Sequence, residues 1–257
     1  MSAVTYGTRM SGWLACLALA LASLAGAACS TAPMPTGPTV PAAEAAPAAT
    51  PVPIPVPTPV PAPATARYHV TFQATWSASS HPLEFPSSAH FSPLIGGTHT
   101  AQASFWREGG MATDGIIDMA ERGLTTRLSA EINLAIAAGT AEHLVTGSNI
   151  GSSPGSATAD FEISQTQPFV TLVTMIAPSP DWFVGVSAVA LFQNGEWASE
   201  RRFDLEPWDA GSDGGTTFLS PDLPLTPRLP ISRIVTAPLS PSGRITPLGT
   251  FTFTRMP

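Results

Sequence analysis

Residues 181–209 read DWFVGVSAVALFQNGEWASERRFDLEPWD, in which an apolar run and a charged run flank the dipeptide Asn194-Gly195. Asn-Gly between two such runs is the strongest short-range signal for a two-residue β-hairpin. The second run alternates between charged side chains and Phe203 or Leu205, as a half-buried strand does. This stretch therefore predicts an antiparallel β-ribbon as the centre of the fold.

The foot of this ribbon carries acidic residues that are far apart in the sequence. If Asn194 and Gly195 form the turn, Asp181 lies opposite Trp208 and therefore beside Asp209. A bulge would move this register by one residue only. The small-residue turn after Asp209 then brings Asp213 back to the same place. The sequence thus predicts that three carboxylates meet at one end of the sheet.

Three carboxylates this close repel one another unless a positive charge lies between them. A hard cation with oxygen ligands meets this need, and Ca²⁺ accepts irregular loop geometry that Mg²⁺ resists. Glycines in the loop would let backbone carbonyls approach the ion. We therefore expect Asp181, Asp209 and Asp213 to bind Ca²⁺, with a solvated acidic turn as the alternative. An EF-hand is excluded, since Ser220 stands where the bidentate glutamate is needed.

The rest of the chain indicates an all-β domain over residues 67–257. Two segments, 114–122 and 125–138, repeat apolar residues every three to four positions and predict short helices. Strands are predicted for segments that alternate or are continuously apolar, namely 68–76, 103–106, 160–164, 169–176, 182–192, 197–206 and 250–255. Many strands with turn-rich connections and two helices favour one antiparallel β-sandwich.

The N-terminal segment 1–28 is typical of an export signal, because an apolar run follows Arg9 and ends in small residues. A permanent membrane span is the less favoured alternative, since the run is short and no basic cluster follows it. Cys29 stands directly after this segment and resembles the lipid acceptor of a bacterial lipoprotein. Ordinary signal cleavage stays open, because Gly26 occupies the position that usually holds leucine in lipoproteins.

Residues 29–66 form a Pro/Ala-rich linker, within which 51–63 read PVPIPVPTPVPAP. Proline lacks a backbone donor and fixes φ, so the tract favours an extended polyproline II spacer over a helix or a strand. A docking motif for a proline-binding domain is the alternative. We expect the linker to be disordered and to hold the domain away from a membrane.

Composition excludes some classes of partner. All 11 basic residues are arginine, the net charge is −7, and no basic cluster is present. Nucleic-acid binding is therefore disfavoured. Cys16 and Cys29 are the only cysteines, so the domain itself has no disulfide. No nucleophile elbow or phosphate-binding loop is present, and we assign no catalytic residue.

The domain resembles the spondin (F-spondin N-terminal) family. The resemblance covers nearly all of 67–257 and rests on six motifs: YHVTFQATWS (68–77), HPLEFP (81–86), HFSPLIGGTH (90–99), ASFWREGGMATDGI (103–116), TMIAPSPDWFVGVSA (174–188) and DLEPWDAGSDGGTTFLSP (204–221). It implies a C2-like β-sandwich whose calcium ligands are Asp181, Asp209 and Asp213. Animal members carry cysteines where this chain has FQNGEW, so that disulfide is absent here.

These features favour an exported, calcium-binding spondin-type sandwich that acts as a surface binding or adhesion module. We expect a location in a bacterial cell envelope, as an outer-membrane or surface lipoprotein, or secretion. The expected partner is an extracellular or envelope protein or glycan, with membrane contact only through a lipid on Cys29. A structural envelope protein stabilised by calcium is one alternative. A metal-dependent hydrolase is another, although no general base stands out beside the acids.

Overall fold

A computed structural model of the chain describes Gly37 and residues 61–257. The predicted signal segment, Cys29 and most of the linker lie outside the described residues. No helix within 61–257 is long and apolar enough to cross a membrane. The first strand begins at Thr65, two residues before the expected start of the domain.

Thirteen strands, two α-helices and one short 3₁₀ turn at Pro241–Gly243 make up the described domain. The α-helices are α1 (Asp114–Arg122) and α2 (Thr126–Ala137). The strands are β1 (Thr65–Ala74), β2 (His90–Phe91), β3 (Ile95–His99), β4 (Ala141–Thr146), β5 (Gly155–Ser164), β6 (Phe169–Ala177), β7 (Trp182–Ala190), β8 (Phe192–Gln193), β9 (Glu196–Trp197), β10 (Glu200–Asp204), β11 (Pro207–Asp209), β12 (Ser232–Arg233) and β13 (Gly249–Arg255).

The strands form two antiparallel sheets and a small hairpin. One sheet has the order β10-β13-β1-β5, and the larger has the order β12-β11-β7-β6-β3-β4 with β2 added beside β6. The ribbon of β8 and β9 stands apart from both. The expected all-β antiparallel sandwich with short helices is confirmed.

The apolar core lies between the two sheets and is rich in aromatic side chains. Phe72 of β1 contacts Phe91 edge-to-face, with ring centroids 4.8 Å apart, and also contacts Phe251 of β13 at 5.2 Å. Trp76 packs edge-to-face against Phe91, with ring centroids 5.6 Å apart. All four side chains are fully buried. Edge-to-face pairs add to the stability that area burial supplies.

The helices cover the outer face of the larger sheet, so that sheet is buried on both sides. On β6, Leu172 faces the inter-sheet core, whereas its neighbour Val173 faces the helices. From the helical layer, Ile116 and Leu128 pack against this second face. A sheet covered on both faces reads as a continuous apolar run, which accounts for the sequence FVTLVTMI in β6.

Segment 103–106 is irregular, and its prediction as a strand was wrong. Phe105 and Trp106 are buried beneath the helical layer. Trp106 contacts Phe183 at 5.1 Å and Trp208 at 5.2 Å between ring centroids. The apolar character of this segment therefore reflects burial under the helices and not pairing in a sheet.

The central ribbon has the predicted turn but a different course below it. Asn194 and Gly195 both adopt positive φ, and Phe192 pairs with Trp197 as the two-residue turn requires. Below this tip the chain leaves β7, because β10 pairs with β13 in the other sheet. It returns to β7 only at β11, where Asp209 pairs with Trp182. The predicted register of Asp181 opposite Trp208 was therefore wrong by two residues.

Candidate metal centre

Asp181 and Asp209 are neighbours at the end of the larger sheet. Asp181 directly precedes β7, and Asp209 ends β11 opposite Trp182. The backbone N–H of Ala210 donates to the carbonyl of Asp181 at 3.1 Å, so pairing continues one step beyond the strand. The proximity expected from the hairpin is present although its register differs, because β11 meets β7 again at this end.

The carboxylate of Asp181 holds the turn that contains Asp213. Its Oδ2 accepts hydrogen bonds from the N–H of Ser212 at 2.7 Å, the hydroxyl of Ser212 at 3.1 Å and the N–H of Asp213 at 3.0 Å. Asp181 is fully buried, and Ser212 and Asp213 are each 5 % exposed. Asp181 therefore fixes the turn from a position 31 residues earlier in the chain.

The other oxygen of Asp181 has no hydrogen-bond partner. Oδ1 is buried, and no donor within residues 61–257 reaches it. A buried acceptor without a partner costs on the order of 1–3 kcal/mol, and more when it carries charge. A cation bound to this oxygen would remove that cost, so Oδ1 is the strongest candidate for a metal ligand at this end of the sheet.

Burial, and to a smaller extent the nearby charge of Asp209, raise the pKa of Asp181 to about 6. The hydrogen bonds from Ser212 and Asp213 act in the opposite direction. Burial also raises the pKa of Asp209, where the N–H of Gly211 opposes the shift and the charge of Asp213 adds to it. The charge of Asp209 therefore disfavours the ionised form of Asp181, and the charge of Asp213 disfavours that of Asp209, as expected for neighbouring carboxylates.

The two later acids shape their own turns. Asp209 Oδ1 accepts the N–H of Gly211 at 2.8 Å, and Asp213 Oδ1 accepts the N–H of Gly215 at 2.6 Å. Asp213 Oδ2 also accepts the N–H of Leu223 at 2.9 Å. Both oxygens of Asp213 are thus hydrogen-bonded to the backbone, and they fasten the segment around Leu223 to the turn.

A glycine is required at position 211. Its φ is +76°, and a Cβ built there would lie 2.1 Å from the carbonyl oxygen of Leu229. The N–H of Leu229 in turn donates to the carbonyl of Gly211 at 2.8 Å. Gly211 therefore lets two chain segments approach more closely than any side chain would permit.

The donor set suits a hard cation, but the described geometry is not a closed ligand cage. Within residues 61–257 no three side chains of His, Cys, Asp or Glu are gathered so that they could hold a metal ion as they stand. The three acids lie on adjoining turns, and the carboxylates of Asp209 and Asp213 already accept hydrogen bonds from backbone N–H groups. An ion here would use the free Oδ1 of Asp181, further carboxylate lone pairs and backbone or solvent oxygens.

Two small clefts open beside these turns. One, of about 180 Å³, has Trp182, Asp209 and Arg233 among its lining residues. The other, of about 290 Å³, reaches Asp213 together with Glu121 of α1. Ser212 and Arg233 were not singled out from the sequence. Arg233 comes from β12, whose place beside β11 only the folded chain reveals.

Three histidines that lie at nine-residue intervals are separated in the structure. His81 is hydrogen-bonded to the carbonyl of Thr246, and His90 to that of Ser88. His99 is fully buried and contacts the hydroxyl of Thr171 at 2.8 Å. The three histidines therefore order loops and the core.

The fold and this acidic end define a two-sheet antiparallel sandwich with an oxygen-rich cluster at the end of its larger sheet, where β11 meets β7. A sequence model of the Spondin_N family matches residues 66–244. The chain belongs to the spondin family. It is 35 % identical to human Spondin-2 over 195 residues, which cover 74 % of this chain and 57 % of that protein. It is also 35 % identical to mouse Spondin-1 over 173 residues, 64 % of this chain and 21 % of that protein. The chain thus spans just over half of Spondin-2 and about a fifth of Spondin-1.

Proposed function

We propose that the protein is an exported, calcium-binding spondin-type module that binds a ligand outside the cell. The observation that carries the calcium proposal is the buried Oδ1 of Asp181, which accepts no hydrogen bond from any residue in 61–257. A dication beside it would supply the missing partner and offset the repulsion between Asp181 and Asp209. Oxygen donors on irregular turns favour Ca²⁺ over Mg²⁺, which demands near-octahedral geometry.

Calcium at this position would join the segment before β7 to the turn after β11. Asp181 already fixes Ser212 and Asp213, and Asp213 fixes Leu223. An ion bound to the same carboxylates would stabilise all three segments together, since a ligand that binds only the folded state favours that state by mass action. The loops at this end of the sandwich would then present a rigid surface.

The proposed placement is a cell envelope or the extracellular medium. It rests on the signal-like segment 1–28, the lipid acceptor predicted at Cys29 and the proline-rich tract that precedes the domain. Membership of the spondin family supports an extracellular role. The proposed partner is a protein or glycan of that compartment, and the module acts in binding or adhesion.

Calorimetric titration of calcium into metal-stripped protein tests the ion. We expect saturable heat from the wild type, none from Asp181→Asn, and unchanged heat from Asp204→Asn, which removes an exposed acid on β10. Absence of heat from the wild type would overturn the calcium proposal. Saturable calcium binding with no retained ligand on protein and glycan arrays would leave calcium with a purely structural role.

A further inference from the structure

The proline-rich tract ends against the domain, where two side chains hold its last two residues. Ala62 is half-buried and packs on the inter-sheet core. The indole N–H of Trp197 donates to the carbonyl of Pro63 at 2.8 Å. The side-chain amide of Gln165 donates to the carbonyl of Ala62 at 3.0 Å and to that of Pro63 at 2.8 Å. Three hydrogen bonds therefore fix the end of the tract.

These contacts suit the chemistry of a proline-rich segment. Proline has no backbone N–H, so such a segment cannot join a sheet through a regular ladder of hydrogen bonds. The polar groups that it offers are carbonyl oxygens, and a site that binds it must supply donors from side chains. An indole N–H and a primary amide are such donors. Aromatic surfaces are also the usual docking sites of proline-rich segments.

The aromatic surface here comes from the hairpin of β8 and β9. Trp197 of β9 packs against Phe192 of β8, with ring centroids 4.8 Å apart, and against Tyr68 of β1 at 6.3 Å. The hydroxyl of Tyr68 donates to the carbonyl of Ala198 at 2.5 Å. The hairpin belongs to neither sheet, and these contacts hold it beside the end of the tract.

Trp197 depends on the tract in return. Its side chain is 6 % exposed, and the carbonyl of Pro63 is the only acceptor that its N–H has within residues 61–257. Release of the tract would break this hydrogen bond together with the two from Gln165. It would also expose the apolar surface that Ala62 buries. Docking is therefore favoured by several contacts that are lost as a unit.

We propose that the hairpin of β8 and β9 forms, with Gln165, a binding site for a proline-rich segment, and that its occupant is the end of this chain's own tract. The occupant lies directly before β1, so its connection to the domain gives it a high effective concentration at the site. The docking motif raised as an alternative from the sequence thus has its receptor in the same chain. The domain is held at a fixed point on its spacer and does not swivel on a flexible hinge. This inference needs no metal ion.

Elastase digestion of the full chain tests the docking. Elastase cleaves after small residues, and the sites after Ala64 and Ala66 lie directly beyond the held residues. When reclosing is faster than cleavage, the rate of cleavage reports the population of the released state. Trp197→Phe keeps an aromatic ring and removes the N–H. We expect it to speed cleavage at these two sites at least tenfold, as measured by mass spectrometry of the new N-termini.

Matched variants separate release of the tract from a general loss of stability. Trp106→Phe also removes a buried indole N–H, but one that has no partner within residues 61–257, and it should leave the cleavage unchanged. Gln165→Leu should speed cleavage at least tenfold, because it removes two hydrogen bonds to the tract. Gln73→Leu, which removes an exposed amide bonded to Gly155, should have no effect.

A free peptide of residues 51–64 tests which segment occupies the site. The indole N–H signal of Trp197 is assigned in the NMR spectrum by its loss in Trp197→Phe. We expect about 0.1 mM peptide to leave this signal of the wild type unmoved, because the tethered segment competes at a higher effective concentration. A saturable shift would overturn the assignment of the occupant and would favour the tract of a second copy.

Two results of the digestion would overturn the inference as a whole. One is unchanged cleavage after Ala64 and Ala66 in both Trp197→Phe and Gln165→Leu. The other is an equal increase in Trp106→Phe, which would show that the variants loosen the whole fold. Neither result bears on the calcium proposal, which titration of calcium tests separately.

Discussion

The backbone N–H of Asp213 donates a hydrogen bond to Oδ2 of Asp181 at 3.0 Å, across 32 positions of sequence. The turn after β11 is therefore held from the segment that precedes β7, and the pairing of Asp209 with Trp182 brings the two within reach. Only one oxygen of Asp181 serves this structural purpose, and the other accepts no hydrogen bond from residues 61–257. If calcium binds as proposed, the same residue would link the stability of the loops to the occupancy of the ion.

Calcium should raise the thermal stability of the wild type and leave Asp181→Asn unaffected. At a calcium concentration 100 times Kd the expected gain is about 2.7 kcal/mol, which corresponds to roughly 5–10 °C in Tm for a domain of this size. Calorimetric melting curves in calcium and in EDTA measure the difference. Equal curves for the wild type in the two buffers would contradict the prediction.

Without calcium, Asp181→Asn should be at least as stable as the wild type at pH 7. The asparagine oxygen can accept the three hydrogen bonds from Ser212 and Asp213, while the buried charge is removed. A pKa raised from 3.8 to about 6 corresponds to a cost of ionisation on the order of 3 kcal/mol. Urea unfolding in EDTA measures the difference in free energy of unfolding between the two proteins. A strongly destabilised variant would show that the carboxylate stabilises the metal-free fold.

The stability of the metal-free protein should fall as pH rises from about 4 to about 6. In this window the folded state retains a proton on Asp181, whose pKa burial has raised to about 6, whereas the unfolded state has lost it. The folded state therefore binds more protons, and the free energy of unfolding decreases with pH. Unfolding of the wild type and of Asp181→Asn across this range, in EDTA, gives the difference. A difference that is flat or rises with pH would contradict the assignment.

The sequence predicted the proximity of Asp181 and Asp209 better than it predicted the path of the chain. Both helices and the turn at Asn194-Gly195 follow from local patterns, and the structure confirms them. The register below the turn could not be predicted, because β10 pairs with β13, which lies some 50 residues later. Asp181 and Asp209 still meet, since β11 returns to β7.

Other features depend on contacts that no local pattern records. β3 escaped prediction because its glycine-rich sequence, IGGTH, lacks alternation, yet every residue in it is buried between neighbouring strands. Segment 103–106 has the composition of a strand, but its aromatic side chains fill the layer beneath the helices. The position of Arg233 over Trp208 depends on the pairing of β12 with β11, which brings together segments separated by a long loop.

Below pH 6.5, His99 should oppose folding. Burial lowers its pKa, although the hydrogen bond to the carbonyl of Thr100 acts in the opposite direction. The ring lies between that carbonyl and the hydroxyl of Thr171, each at 2.8 Å. The unfolded chain protonates its histidine first, so stability is lost as pH falls below 6.5.

The measurement is urea unfolding of the wild type and of His99→Gln between pH 5 and 8. The variant should be less stable at pH 8, and its stability should depend less steeply on pH. Some pH dependence should remain, because His81 is also buried and has a lowered pKa. His90→Gln, at a partly exposed histidine bonded to Ser88, is the control. An unchanged slope in His99→Gln would contradict the prediction.

Gly211→Ala should destabilise the domain more than Gly195→Ala does. Both glycines have positive φ, at +76° and +83°, so both variants incur the left-handed backbone cost of about 1–2 kcal/mol for an L-residue. Only at position 211 would the new Cβ also meet an atom, the Leu229 carbonyl oxygen at 2.1 Å, whereas nothing lies within 4 Å at position 195. The two unfolding free energies in urea should therefore differ by on the order of 1–3 kcal/mol. Displacement of the turn should also weaken calcium binding in Gly211→Ala alone, and equal calcium affinities in the two variants would show that the ion does not depend on this turn.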